Sequence, residues 1–293
     1  MAIDLYSKHF GFSERPFSLS PDPDMLFWSK AHTRAFSVLE YGLMTHAPLT
    51  VVTGEVGTGK TTLIQNLLRS LDDDITLGLI SNAQGDRGDL MRWVLNALDT
   101  PLGEETDYVS LFQQFQNFVI EEYACGRHVV LVIDEAQNLG ADMLEELRML
   151  TNINSGKDEL LQIILVGQPE LRQMILLPQL RQFAQRVTVT FHIDPFGIEE
   201  TRAYIQHRLS RVGGRGTEFT PGAVEKIFSE SGGIPRLVNK LCDLALVYAA
   251  TAGETEVDVD TIRELFEDGL VLAPAATPLF LNNRIDIPRK AAE

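Results

Sequence analysis

Cysteine is nearly missing from this chain: there are two in 293 residues, Cys125 and Cys242, far apart and without metal-type spacing. That excludes a disulfide scaffold and fits a reducing compartment, with both thiols as small core residues. No apolar run approaches the length needed to cross a bilayer. The first residues, Met1-Ala2-Ile3-Asp4-Leu5-Tyr6, carry an early acid and no basic stretch ahead of an apolar one, so no signal peptide is read there. Basic residues are scarce too, with 25 Lys and Arg against 41 Asp and Glu and a net charge of −16. A surface built for nonspecific DNA binding needs clustered cations to displace counterions. The balance therefore disfavours DNA as a partner, while leaving room for a local basic patch. Internal repeats and low-complexity tracts are also absent.

What the chain does have is Gly54-Glu55-Val56-Gly57-Thr58-Gly59-Lys60-Thr61, entered from the apolar run 49–53 and left through Thr62 and the helical pattern that follows it. Strand, glycine loop and helix are the context in which a G-x-x-x-x-G-K-[ST] match becomes a phosphate site. Gly54, Gly57 and Gly59 permit close backbone approach, so that successive N–H groups can turn toward an anion. The helix N-terminus adds its partial positive charge. Lys60 is expected on the β- and γ-phosphates of ATP, and the Thr61 hydroxyl on Mg²⁺.

At 44 % hydrophobic content the chain can bury a large domain and a smaller one. Residues 1–45 read as an arm and a helix. The arm is dense in Phe and Pro, with Pro16, Pro21 and Pro23 set against regular structure, and it is expected beside the phosphate loop, enclosing adenine. Ser29 is a candidate N-cap for a helix over 31–44. Residues 46–195 carry five apolar runs, at 49–53, 75–82, 128–135, 161–167 and 187–193, alternating with helical patterns, which predicts an α/β sandwich around a parallel sheet. From Phe196 to residue 272 every pattern is helical, at 199–212, 221–231, 235–251 and 259–272, and this reads as a small lid domain. Residues 273–293 read as a flexible tail.

The chemistry gathers at the strand ends. Asp134 and Glu135 close the most apolar run, where parallel sheets bind ligands. Asp134 is expected to hold Mg²⁺ with Thr61, and Glu135 to polarise the water that attacks the γ-phosphate. Asn82, ending the neighbouring run, is a candidate partner for Glu135 or a simple turn cap. Gln168 follows the 161–167 run and is placed to contact that water or the γ-phosphate. Arg181 and Arg186 precede the last run, and either can reach a neighbouring subunit's site to offset transition-state charge; Arg186 is the first choice. In Gly232-Gly233-Ile234-Pro235-Arg236, proline opens a helix and presents Arg236 near its N-terminus, where a cation is disfavoured unless an anion such as nucleotide phosphate is near.

This order of motifs resembles the AAA+ ATPases. More narrowly, Phe10-Gly11-Phe12, Arg15-Pro16-Phe17, Pro21-Asp22-Pro23, Ile133-Asp134-Glu135-Ala136-Gln137, Val166-Gly167-Gln168-Pro169-Glu170-Leu171 and Pro235-Arg236-Leu237-Val238-Asn239 resemble the general secretion pathway protein A family over residues 8–270. The resemblance implies Mg-dependent ATP hydrolysis, an ATP-dependent homo-oligomer in a ring or filament, and a protein partner in envelope assembly such as a secretin, pilus or polysaccharide exporter. It also implies a cytoplasmic protein that meets the inner membrane only through a partner. Larger members continue into a membrane span and a peptidoglycan-binding domain, and this chain looks more like the short, ATPase-only members. Transposition target-selection ATPases resemble the same core, which makes a DNA-associated regulator the alternative.

Overall fold

In the computed structural model, residues 6–20, 22–72, 74–81, 87–101, 107–155 and 158–270 are described. The five apolar runs become β1 (Leu49–Gly54), β2 (Ile75–Ser81), β3 (His128–Asp134), β6 (Leu161–Gly167) and β7 (Val187–Ile193). They form one sheet in the order β2-β3-β6-β1-β7, with every neighbouring pair parallel. A small antiparallel hairpin, β4 (Asn154–Ser155) and β5 (Asp158–Glu159), precedes β6. It is too short and polar to leave a periodic signal.

β3 explains the three-layer architecture. Val129, Leu131 and Ile133 face one hydrophobic cluster, while Val130 and Val132 face another. Strict alternation of strand side chains carries each apolar set to an opposite face. On one face lie α4 (Arg87–Ala97), α5 (Tyr108–Ala124), α6 (Ala141–Leu150), α7 (Pro169–Ile175) and α8 (Arg181–Arg186), which supply Leu90, Val94, Phe115, Leu147, Leu171 and Phe183. On the other lie α2 (Lys30–Met44) and α3 (Lys60–Arg69), with Ala35, Leu39, Leu63 and Leu67. A strand covered on both faces is apolar at nearly every position, which is why β3 and β6 read as near-continuous runs; Gln162 in β6 is buried as well and donates to the Gly42 carbonyl at 3.0 Å.

The lid comprises α9 (Ile198–Arg211), α10 (Pro221–Ser231), α11 (Pro235–Ala252) and α12 (Val259–Glu267), joined by a single parallel bridge between Phe219 and Val257. α12 ends five residues short of the expected limit at 272. The arm departs from expectation in its local structure, and its packing shows what its aromatic residues are buried against. It is not devoid of regular structure: α1 (Ser7–Phe10) and a 3₁₀ turn at Pro23–Met25 interrupt it. Pro23 opens that turn, at a position where its missing N–H costs nothing. Tyr6, Phe12, Phe17 and Met25 are buried in the lid's own core, among Tyr204, Leu209, Leu241 and Leu246. Polar contacts fix the same attachment. Arg208 donates from Nε to the Pro16 carbonyl at 2.6 Å, and Arg15 pairs with Asp243, which also accepts from the Tyr6 hydroxyl. The arm is thus part of the lid by packing, although the phosphate-loop domain separates the two in sequence.

Candidate functional site

Parallel registry brings the carboxyl ends of the strands to one edge. Thr53 in β1 pairs with Gly167 in β6, Gly54 with Ile193 in β7, and Ser81 in β2 with Asp134 in β3. β6 lies between β1 and β3, so Gln168 falls between the glycine loop and Glu135.

The loop after β1 is built around space that side chains cannot enter. A Cβ on Gly54 would come within 2.8 Å of the Ile193 carbonyl oxygen, and one on Gly57 within 2.5 Å of Arg236 Cβ. Gly57 and Gly59 also hold φ of +84° and +91°, which favour glycine. Gly59 is the N-cap of α3, and Lys60 opens that helix. Lys60 is 6 % exposed, and its ammonium donates to the carbonyls of Gly54 and Glu55, each at 2.8 Å. Burial lowers the Lys60 pKa, opposed by the charges of Glu135, Asp134, Glu55 and Glu170. The Thr61 hydroxyl donates to Asp134 Oδ2 at 2.9 Å, so the two expected metal ligands already touch.

Glu135 lies directly after β3 in a left-handed conformation, φ 53° and ψ 37°, which turns the chain into a 3₁₀ turn at Ala136–Asn138. Its Oε2 accepts from Gln168 Nε2 at 3.0 Å and from Gln137 Nε2 at 2.5 Å. Burial pushes its carboxyl pKa up, but the Gln168 and Gln137 donors and the Lys60 charge outweigh this and hold it below the ordinary value.

Lys60, Thr61 and Glu135 line a cleft of about 270 Å³ between the sheet edge and the lid. Val56 to Thr62 form its floor, with Glu135 at one side and Pro235, Arg236 and Asn239 from α11 above. The arm contributes Ser18 to Ser20 and Met25 to Phe27, with Phe196 from the segment before α9 and Tyr204 from α9 itself. Phe196 rests 5.7 Å from Phe27 and 5.2 Å from Tyr204 between ring centroids, which gives the cleft an aromatic end opposite its charged one. The lid meets the glycine loop through its backbone, with Arg236 N–H donating to the Gly57 carbonyl at 3.2 Å.

Two expected residues lie away from this cleft. Arg186 closes α8 at the far edge of the sheet, where Val187 pairs with Leu49, the first residue of β1. Its guanidinium donates to Glu159 at 3.4 Å and to the Asn152 side chain. Arg181 opens the same helix and is exposed. Asn82 lies outside the described residues, as does the tail from 273 onward.

Two residues in contact with the site carried no expectation. His32 on α2 is 2 % exposed, with its Nε2 2.9 Å from the Thr58 carbonyl and its Nδ1 2.8 Å from Ser29 Oγ. A carbonyl only accepts, so Nε2 carries the proton and Nδ1 accepts from the serine. One histidine on an amphipathic helix gives no sequence signal for this role. Gln137 stands within Ile133-Asp134-Glu135-Ala136-Gln137, and its offset of two residues from Glu135 was the available clue.

Fold and site together define an AAA domain of the P-loop ATPase class, and residues 43–175 match the AAA domain family model. Solved structures with this fold include the ORC2 protein of Aeropyrum pernix (TM-score 0.62, 17 % identity, 87 % of this chain and 71 % of that one). Cdc6p of Pyrobaculum aerophilum is another (TM-score 0.64, 15 % identity, 85 % and 70 %). A third is the RuvB Holliday junction branch migration motor of Thermotoga maritima (TM-score 0.54, 20 % identity, 87 % and 72 %). At such identities they speak for the fold alone. Within the class, the chain is similar to general secretion pathway protein A. It is 37 % identical over 287 residues to general secretion pathway protein A of Aeromonas hydrophila, covering 94 % of this chain and 52 % of the relative. The chain spans about half the length of that curated relative. Among the described residues, no helix is long and apolar enough to cross a membrane.

Proposed function

We propose that the chain binds and hydrolyses ATP, in a site completed between subunits, to drive assembly or operation of a cell-envelope secretion, pilus or polysaccharide-export system. The observation that carries the hydrolytic part is the convergence of Lys60, the Thr61–Asp134 pair and an ionised Glu135 on one cleft. Each has a separate task. The Gly54–Thr61 backbone wraps the β-phosphate and Lys60 counters the charge of the outer phosphates, exchanging its loop carbonyls for them. The aromatic end formed by Phe27, Phe196 and Tyr204 receives the adenine ring. Glu135 takes a proton from the attacking water at its free carboxylate oxygen.

The donor set fits Mg²⁺. Thr61 and Asp134 are hard oxygen ligands already 2.9 Å apart, and among the described residues no cluster of three or more His, Cys, Asp or Glu forms an all-protein cage. One or two protein oxygens plus phosphate and water is the usual magnesium arrangement in nucleotide sites. Bound there, the ion would neutralise charge on the β- and γ-oxygens.

Arg236 and the Gly57 carbonyl contact support a lid that responds to occupancy of the loop. The envelope role rests on the likeness to general secretion pathway protein A, a protein named for secretion. A purified sample should release phosphate from ATP only with Mg²⁺. Lys60→Ala should lose nucleotide binding. Glu135→Gln should bind ATP normally and lose at least about 100-fold in turnover, as expected for removal of a general base. Undiminished turnover in both variants would remove the site assignment.

A further inference from the structure

We propose that Gln137 is a positioning residue for Glu135: it ties the end of β3 to the end of β6 and fixes carboxylate oxygen Oε2, leaving Oε1 to accept the proton of the attacking water. The inference rests on the hydrolytic reading above and assigns a role to a residue which that reading does not use.

The geometry fixes the orientation of the amide. Gln137 Oε1 accepts from the backbone N–H of Gln168 at 3.0 Å. A backbone N–H can only donate, so this oxygen cannot exchange places with Nε2, which therefore faces Glu135 Oε2 at 2.5 Å. Gly167 provides the space. Its φ lies outside the left-handed region, yet a Cβ there would sit 2.9 Å from Gln137 Oε1 and 2.8 Å from Leu171 Cδ2. Glycine is thus required at this position for room beside the amide, and not for its backbone angles. The left-handed turn at Glu135 completes the arrangement by folding Gln137 back beside the residue it serves.

The two glutamines divide the work. Gln168 reaches the same oxygen at 3.0 Å through Nε2 of its own side chain. It is free to swing toward the γ-phosphate or water without releasing Glu135, because Gln137 remains anchored to the backbone. Donors converging on a carboxylate stabilise its charged form and restrict its rotation. A base restricted in this way is both available and aimed.

The test compares Gln137→Leu, Gln137→Glu and Gly167→Ala with the wild-type chain, reading kcat, KM and nucleotide Kd. Gln137→Leu should lower kcat roughly 10-fold or more, within the range of general-base contributions, with Kd for ATP essentially unchanged. Gln137→Glu, which keeps the anchoring oxygen but sets a second carboxylate against the first, should lower kcat at least as far, again with Kd for ATP essentially unchanged. Gly167→Ala should reproduce part of the kcat loss, and Gln137→Leu added to it should cost less than the sum of the two, because both act on one contact. An undiminished kcat in both Gln137 variants, or a loss confined to folding stability or ATP affinity, would overturn the proposal. Glu135→Gln serves as the control: if it retains wild-type turnover, the hydrolytic reading itself fails, whatever the Gln137 variants show.

Discussion

At the level of single residues, the glycine loop is supported from outside its own motif. His32 donates to the Thr58 carbonyl, and a Cβ at Gly59 would lie 2.9 Å from its Nε2, so the imidazole occupies the flank of the loop. Removing it leaves that carbonyl without its donor and a void beside the loop. His32→Ala should weaken ATP binding about 5- to 10-fold, the equivalent of one buried hydrogen bond, with the far-ultraviolet spectrum intact. Undiminished affinity would show that the loop holds its shape alone. Burial, the largest influence, lowers the pKa of His32 below 6.5, against the Thr58 carbonyl and the Glu200 charge that raise it. The unfolded chain therefore binds the extra proton between the folded value and 6.5. The stabilisation is complete above that window and falls as pH drops through it. His32→Asn should flatten this part of the pH dependence of urea midpoints, and an identical slope in both proteins would contradict the assignment. Among these residues the loop was legible, because its spacing follows from phosphate geometry. His32 and Gln137 were not, since one histidine and one glutamine carry no period and gain their roles only from contacts across the fold.

At the level of elements, the central strands were legible because burial on both faces leaves the interior of β3 wholly apolar and β6 apolar but for Gln162. The allegiance of the arm was not. Phe12 and Phe17 announce burial, but nothing local says against what, and the partner surface lies some 200 residues further along the chain. Asp243 on α11 is the clearest knot in that attachment. It accepts from the Tyr6 hydroxyl at 2.5 Å and from Arg15 Nε at 2.7 Å, with its side chain only 10 % exposed. Burial and the neighbouring carboxylate together push the Tyr6 pKa far up, so the phenol remains a donor throughout the working range. Asp243→Ala strips both donors of their acceptor and should cost about 2 kcal/mol, the scale of hydrogen bonds to a charged group. The same variant should make the arm cleave faster under limited proteolysis. If the melting temperature and cleavage rate match the wild-type values, the arm is held by its aromatic residues alone. Because arm residues line the nucleotide cleft, ATP should slow that cleavage in the wild-type chain.

For the whole molecule, the distribution of charge across the sheet decides whether one chain can suffice. The phosphate loop and Glu135 lie at the carboxyl edge, while Arg186 lies at the opposite edge beside the first residue of β1. A strand of this length separates the two by roughly 17–20 Å, beyond the reach of an arginine side chain. Arg186 therefore cannot serve the cleft of its own chain, and a second copy must bring its far edge to that cleft if the residue is to act. Glu159 and the Asn152 side chain hold its guanidinium in place and so keep it at the position such a neighbour would meet. Turnover per chain should then rise with protein concentration until assembly saturates. Arg186→Ala should bind ATP with wild-type affinity but hydrolyse it about 1,000-fold more slowly, the lower side of what arginine fingers contribute. Glu135→Gln supplies an intact arginine beside a dead base, and Arg186→Ala an intact base beside a missing arginine. Mixed in equal amounts, the two inactive proteins should regain measurable turnover at interfaces that join a competent base to a competent arginine. No recovery under conditions where the variants co-assemble would place the charge-neutralising group elsewhere, with Arg181 in the same helix the next residue to exchange.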